Sequence, residues 1–480
     1  VNTSQEPVGL LPPAFTQEYV EGATEPYITS DEFVGDIPLL PMIDLAFSKE
    51  NAVPPHFWGM LYDGWESDAA RDGGALFFQG YEHRGPHNER KKIYMTATTP
   101  DLYATQYAGK IGGFFDWLLS DANQGKPLMQ AYYERYFDLY WDLHLGVTGD
   151  AIPDEVRQIG ASFTTVLGYW YPTEEIVRDN ILRVRALREP LKRWIAARVQ
   201  DIVSGVTPHP EQTFVHYWLK NAGTGQHFRE KDIVFECFHN FLAISQWGNM
   251  VYNTMAQLEP THGDPTIQCW FARTMTSQPD EIDDGAFTPL DRFTMELFRT
   301  ISPNRASLST LHTLRGLRSG KGSLLTDHLA ASHDPRHWRD PGAFNPDRYK
   351  TAPTTVDNDE ASCQAAQLAR CPFTPAPFAM QDGRHGAMTN STYGAVYGEV
   401  EGQAYPVCDT AGYAPFGFGY RRCAGELLTI EFLKAFLRTA WREHVSFVTL
   451  DLEAPEQIPV SPHTVIADTI SFTRAANGTA

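Results

Sequence analysis

The sequence predicts a mainly helical protein with a small β region, and three observations carry that expectation. The chain from Thr99 to about Ser204 reads as helix for most of its length. A further helical run, Glu426-Leu427-Leu428-Thr429-Ile430-Glu431-Phe432-Leu433, begins directly behind a glycine. Strand and turn signals are few and short: Gly74-Ala75-Leu76-Phe77-Phe78, and the turn Gly320-Lys321-Gly322.

The elements follow in order. Residues 1–50 are rich in proline and acid and poor in periodic runs, so they predict an irregular N-terminal arm. The segment from His56 to Tyr62 opens a helix. Tyr132 to Trp141 sets aromatics on more than one face of a helix, which predicts a buried helix packed into the core rather than an aromatic cofactor box. An amphipathic helix runs from Glu174 to about Ile202. Thr351 to Gly412 is polar, carries Pro372, Pro375 and Pro377, and predicts a long irregular insertion. Cys363, Cys371, Cys408 and His385 inside it fit no common zinc spacing.

Composition removes several function classes. A net charge of −20 is wrong for a nucleic-acid binder, which needs a basic footprint. Six cysteines in 480 residues, with no C-x-x-C pair, do not make a disulfide scaffold. No apolar stretch reaches membrane-spanning length and no signal-peptide pattern opens the chain, so the expectation is a soluble, cytoplasmic protein without a transmembrane anchor. The chain lacks a Gly-x-Ser-x-Gly elbow, a His-Glu-x-x-His zinc motif and a complete dinucleotide-binding glycine loop.

One stretch carries chemistry: Phe416-Gly417-Phe418-Gly419-Tyr420-Arg421-Arg422-Cys423-Ala424-Gly425. It sets a cysteine where a glycine-bearing loop meets a helix N-terminus. The helix dipole and free backbone N–H groups favour a thiolate there. Gly419 and Gly425 let the main chain press against a flat object, and Arg421 aims a cation at an anionic group on it. The pattern Phe-x-x-Gly-x-Arg-x-Cys-x-Gly resembles the haem-ligand loop of the cytochrome P450 family, with Phe416, Gly419, Arg421, Cys423 and Gly425 in the fixed positions. Two further motifs in the right order resemble the same family: Glu296-x-x-Arg299, and the run from His333 to Tyr349 that contains Asp334-Pro335, Trp338, Pro341 and Phe344-x-Pro346-x-Arg348.

The resemblance implies a cytochrome P450-like haem-thiolate fold in one large catalytic domain, 51–480, with the 351–412 insertion on its proximal side. It implies haem b (iron protoporphyrin IX) with Cys423 as the iron ligand. Phe416, Gly417 and Gly425 would line the sulfur, and Arg421, His87, Lys91 and either His312 or Arg315 would meet the propionates. Glu296, Arg299 and Arg348 would brace the core behind the loop. The segment from about 161 through the helix at 174 falls where the family builds its substrate lid. Lys231–Leu258 falls where the family's central helix crosses the distal face. Here Ala243, Ser245, Gln246 and Trp247 occupy the region that usually holds an acid followed by threonine. Glutamine cannot shuttle a proton as a carboxylate does, and indole is a donor only. Cys237-Phe238-His239-Asn240-Phe241 is similar to the central helix of the plant oxylipin branch, which also lacks that pair, so His239 and Asn240 join the distal candidates.

The expected function is oxidation of an apolar or amphipathic small molecule, most simply monooxygenation, with electrons from a separate ferredoxin or flavoprotein reductase. Basic Arg422 and Lys434 are candidates to receive such a partner. The alternative is O2- and reductase-independent chemistry on a fatty-acid hydroperoxide, or peroxide-driven oxidation. A non-catalytic haem-binding protein is the alternative from another class.

Overall fold

The structure is a computed structural model and describes residues 27–29, 90, 93–157, 174–223, 228–244, 246–284, 287–303, 306–311, 322–327, 332–333, 340–350, 354–355, 395–400, 403–406, 415–416, 423–461 and 464–474. The expectations for the N-terminal arm apart from 27–29, for 56–62, 74–78 and 161–171, and for most of 351–412 lie outside the described residues.

Helices form the body and short strands flank it. Strand β1 is Tyr27–Thr29. Residues 93–95 form a helical turn. The chain then passes from Pro100–Leu102 through a π-helical turn, Tyr103–Tyr107, into α1, Ala108–Leu118. Next come α2 (Leu128–Leu145), α3 (Glu174–Val203), α4 (Phe214–Ala222), α5 (Glu230–Ile244), α6 (Gln246–Leu258), α7 (Pro265–Thr276) and α8 (Pro289–Ile301). Strands β2 (Ala306–Leu311) and β3 (Gly322–Asp327) pair antiparallel, and β1 adds to β3 in parallel. Strands β4 (Thr354–Thr355), β5 (Ala395–Val400) and β6 (Gln403–Pro406) form an antiparallel sheet. Helix α9 (Glu426–Arg442) leads to β7 (Val445–Thr449), β8 (Gln457–Ser461), β9 (Thr464–Ala467) and β10 (Ile470–Arg474). Strands β7 and β10 pair antiparallel with Phe447 opposite Phe472, and β8 pairs with β9.

Local chemistry explains the elements that hold the site. Helix α8 starts with a capping box: the Thr288 hydroxyl accepts from the Asp291 N–H, and the Asp291 carboxylate accepts from the Thr288 N–H. Pro289 fills the first helical position, where its missing N–H costs nothing. Helix α2 buries Tyr132, Tyr133, Tyr136, Phe137, Tyr140 and Trp141, so its aromatics pack on several sides at once. It ends at Gly146, whose φ of 70° is the left-handed cap that glycine takes without strain.

Helix α9 is the pillar on which the cysteine stands. Its apolar face repeats at helical spacing through Leu428, Phe432, Leu433, Phe436 and Leu437, all buried. Phe115 of α1 lies 4.6 Å from Phe432 and 5.4 Å from Phe436, ring to ring. Phe114 meets Tyr132 of α2 edge-on at 5.3 Å. Each buried phenylalanine contributes about 1.5–3 kcal/mol, so this α1–α2–α9 contact outweighs any single polar link in the region. Among the described residues no helix is long and apolar enough to cross a membrane.

Candidate functional site

Cys423 sits two residues before Gly425, the N-cap of α9. Its N–H donates to the carbonyl of Phe416 at 2.8 Å, which closes the loop. The N–H of Gly425 donates to the sulfur at 3.3 Å. Cys423 is exposed, while Phe416 is buried with its ring 4.8 Å from Phe298 of α8. An exposed cysteine at a helix N-terminus, its sulfur already accepting a backbone N–H, fits an iron ligand better than it fits a core cysteine. Gly425 takes φ −93° and ψ 11°, and a Cβ there would lie 3.7 Å from the sulfur. Its φ is therefore one that any residue adopts, so backbone strain does not account for glycine there. Gly417, Gly419, Arg421, Arg422, His87, Lys91, His312 and Arg315 lie outside the described residues.

Behind the loop the structure brings Glu296, Arg299 and Arg348 together. Arg299 Nε and Nη2 donate to the two carboxylate oxygens of Glu296 at 2.9 and 2.8 Å. The remaining guanidinium protons reach the carbonyls of Ser332, Pro341 and Ala343. Glu296 also accepts from Arg348 Nε at 3.0 Å, from the Asn345 N–H and from the Tyr349 hydroxyl. Every donor of this buried arginine has an acceptor, which is the condition under which a buried ion pair is tolerated.

Helices α5 and α6 flank residue 245, which is outside the described set, as is the Ala243 side chain. Gln246 is half-buried. Trp247 turns to α9: its indole N–H donates to the Thr429 hydroxyl at 2.7 Å, and its ring stacks on Phe432 at 4.3 Å. The residue in the place of the usual threonine thus links two helices.

A buried polar cluster lies on α5. His239 Nδ1 is 3.2 Å from Glu236 Oε2. Asn240 Nδ2 is 3.2 Å from His144 Nε2, and His144 Nδ1 donates to the Tyr140 carbonyl at 2.9 Å. Burial holds His144 neutral, pushing its pKa down to about 3. With its proton on Nδ1, His144 offers a bare Nε2 to the Asn240 amide, and this fixes the amide's orientation. Tyr94 lies beside Asn240 and within the fields of both Glu236 and the Cys423 sulfur. Its phenol is pushed far above the ordinary range, by burial first and then by those two charges.

Sequence reasoning missed Tyr94, His144 and Thr429, since each acts through a partner far away in the chain, and it missed Glu236, whose partner His239 lies one helical turn on. Arg90 was also missed; it is fully buried one helical turn before Tyr94 and sets a cation on the same face. Lys434 corrects an expectation. It is buried and ion-paired with Asp291 at 2.8 Å and Glu431 at 2.9 Å, so it offers no free charge to a partner. Burial pulls its pKa down, but the two carboxylates more than offset this and leave it above the ordinary lysine value.

No protein-family profile matches the chain, and no curated protein matches it in sequence. Solved structures match it in three dimensions over nearly its whole length. A zebrafish cytochrome P450 with abiraterone superposes with a TM-score of 0.58 at 15% identity, covering 95% of this chain and 96% of the other. A cyanobacterial cytochrome P450 bound to retinoic acid gives 0.56 at 18% identity, covering 93% and 88%. Cytochrome P450 OleT in complex with arachidonic acid gives 0.53 at 13% identity, covering 94% and 89%. The chain has the cytochrome P450 fold, mainly helical with a small β region.

Proposed function

We propose that this protein is a haem-thiolate oxidoreductase that oxidises an apolar or amphipathic small molecule. The carrying observation is the exposed Cys423 at the start of α9, with the Gly425 N–H directed onto its sulfur. The P450 fold around that sulfur supports the reading. In it, Cys423 ligates the iron of haem b, with Phe416, Gly417 and Gly425 beside the sulfur. Arg421, His87, Lys91 and His312 hold the propionates, and buried Arg90 adds a cation on the same side. The bound haem supplies a redox-active iron whose electron density the thiolate raises. The chain's own groups hold the sulfur, brace the loop through Glu296, Arg299 and Arg348, and exclude water with the aromatic core. Ala243, Ser245, Gln246, His239 and Asn240 face the distal side. Trp247, with its only donor on Thr429, serves the helix contact instead. The substrate class is supported by the apolar and amphipathic molecules that similar folds carry: abiraterone, retinoic acid and arachidonic acid.

Haem reconstitution tests the reading. The purified chain should take up haem and give the ferrous–carbonyl spectrum of a thiolate-bound iron, and Cys423→Ala should lose that spectrum. A chain that stays colourless, or an alanine variant with an unchanged spectrum, would overturn it.

A second reading has its own support. No carboxylate–hydroxyl pair stands among the described residues at 243–247, and the Lys434 charge is internally engaged. Both favour use of a pre-formed peroxide without a reductase. Turnover of a fatty-acid hydroperoxide by the haem-loaded protein alone would select this reading. Turnover only with reductase and NADPH would select monooxygenation.

A further inference from the structure

A string of hydrogen bonds runs from the central helix to the cysteine sulfur. The Trp247 N–H donates to Thr429 Oγ1 at 2.7 Å. The Thr429 hydroxyl donates to the carbonyl of Gly425 at 2.9 Å. The Gly425 N–H donates to Cys423 Sγ at 3.3 Å. The direction of the string is fixed by chemistry. Indole has a donor and no acceptor, so it must take a lone pair of the threonine oxygen. The threonine proton is then left for the Gly425 carbonyl.

A threonine that bonds back to the carbonyl one turn earlier is common in helices, and alone it would be an ordinary helix feature. One detail sets this one apart. As in any such back-bond, the Gly425 carbonyl accepts the Thr429 backbone N–H too, at 3.0 Å. Here the hydroxyl is also held from the far side by a buried indole that is itself clamped on Phe432. Without the indole the hydroxyl could turn about χ1. With it, the carbonyl of Gly425 is pinned, and with that the conformation of the residue whose N–H meets the sulfur.

We propose that Trp247 is a positioning residue for the Cys423 thiolate, acting through Thr429 and Gly425 to hold the N–H···S hydrogen bond. The inference rests on the haem-thiolate reading for its readout. A hydrogen bond to a ligating sulfur withdraws electron density and raises the reduction potential of the metal it binds. Loosening that bond makes the thiolate a stronger donor and lowers the potential.

The experiment measures the reduction potential and ferrous–carbonyl band position of the haem-loaded protein and five variants. Trp247→Phe keeps a ring on Phe432 but removes the N–H. Thr429→Val removes the hydroxyl. Both should lower the potential and shift the carbonyl band in the same sense. The double variant should shift no further than the larger single change, because links in series do not add. Thr429→Ser retains the hydroxyl and should restore the wild-type values. Thr294→Val deletes an equivalent buried back-bonding hydroxyl, on the Leu290 carbonyl of α8, and should leave the potential unchanged. If Trp247→Phe does not fold, the contrast between Thr429→Ser and Thr429→Val decides. Unchanged potentials in a haem-loaded Trp247→Phe or Thr429→Val, or fully additive shifts in the double variant, would overturn the proposal. Failure of the wild-type chain to bind haem would overturn the functional reading instead.

Discussion

His144 shows how one buried ring sets both structure and pH response. The ring is stacked on Tyr140 at 4.0 Å, donates to the Tyr140 carbonyl and accepts from Asn240. A second proton would land on Nε2, facing an amide donor, with no water to solvate the charge. The folded pKa, about 3, lies below the ordinary value of 6.5 that the unfolded chain shows. The unfolded state therefore binds the proton first as pH falls. The stability this neutral ring confers is complete above about pH 6.5 and is lost progressively toward pH 3, at up to about 1.4 kcal/mol per pH unit. His144→Gln, which keeps an acceptor for Asn240, should be less stable at neutral pH but lose stability more slowly on acidification. Thermal midpoints across that range check it, and parallel curves for the two proteins would contradict the assignment.

Arg299 is the other residue on which much depends. Replacing it with lysine keeps the charge but loses the planar fork that reaches Glu296 and three carbonyls at once. Breaking a buried pair of this kind costs about 3–5 kcal/mol. Arg299→Lys should therefore give little folded protein, read by soluble yield and near-UV circular dichroism. A variant with the wild-type melting midpoint would show that the network is not structural. At this scale the sequence was legible where a motif is local. The loop around Cys423 lies within ten residues of chain, and Glu296 and Arg299 lie one turn apart on α8. It was not legible where partners meet only through packing. Trp247 and Thr429 are 182 residues apart, and Asn240 and His144 are 96 apart. Nothing in either local stretch signals the other.

At the scale of elements, the approach of α6 to α2 depends on Gly248. A Cβ there would stand 2.2 Å from the Tyr133 hydroxyl oxygen and 3.1 Å from a carbon of the Tyr132 ring. Tyr133 is buried among other rings and has little room to yield. Gly248→Ala should destabilise by about 1–3 kcal/mol, the range for overpacking a core. Adding Tyr133→Phe removes the nearest clash and should recover part of the loss. Denaturant midpoints of the single and double variants check this, and a harmless Gly248→Ala would mean that the two helices do not approach so closely. The aromatic helix at 132–141 was legible as core because its rings face several ways. The close helix contact was not, since a glycine in a helix carries no label for what lies opposite.

At the scale of the whole molecule, charge bears on how electrons or oxidant reach the site. The chain carries a net charge of −20, yet α9 presents Lys434, Arg438 and Arg442 at one-turn spacing behind the cysteine. Such a stripe would suit an acidic electron donor if its charges were open. Each is instead matched within the chain: Lys434 by Asp291 and Glu431, Arg438 by Asp280, and Arg442 by Asp116 and Glu443. Asp291, Asp280 and Asp116 come from elsewhere in the fold, so the stretch near the loop, where Lys434 reads as open charge, does not show them. A stripe neutralised this way gives little long-range steering, so association with an acidic ferredoxin should be slow and only weakly dependent on salt. Asp280→Asn with Asp116→Asn would remove the main carboxylate on Arg438 and one of the two on Arg442. If a ferredoxin route exists, that double variant should reduce faster than wild type at low ionic strength and lose the gain at high salt. Stopped-flow reduction of the haem-loaded protein measures this. Rapid, strongly salt-dependent reduction of the wild type would show that the docking charge lies elsewhere on the surface. If neither form is reduced while peroxide-driven turnover persists in both, the sealed stripe belongs to a protein that takes its oxidant ready-made.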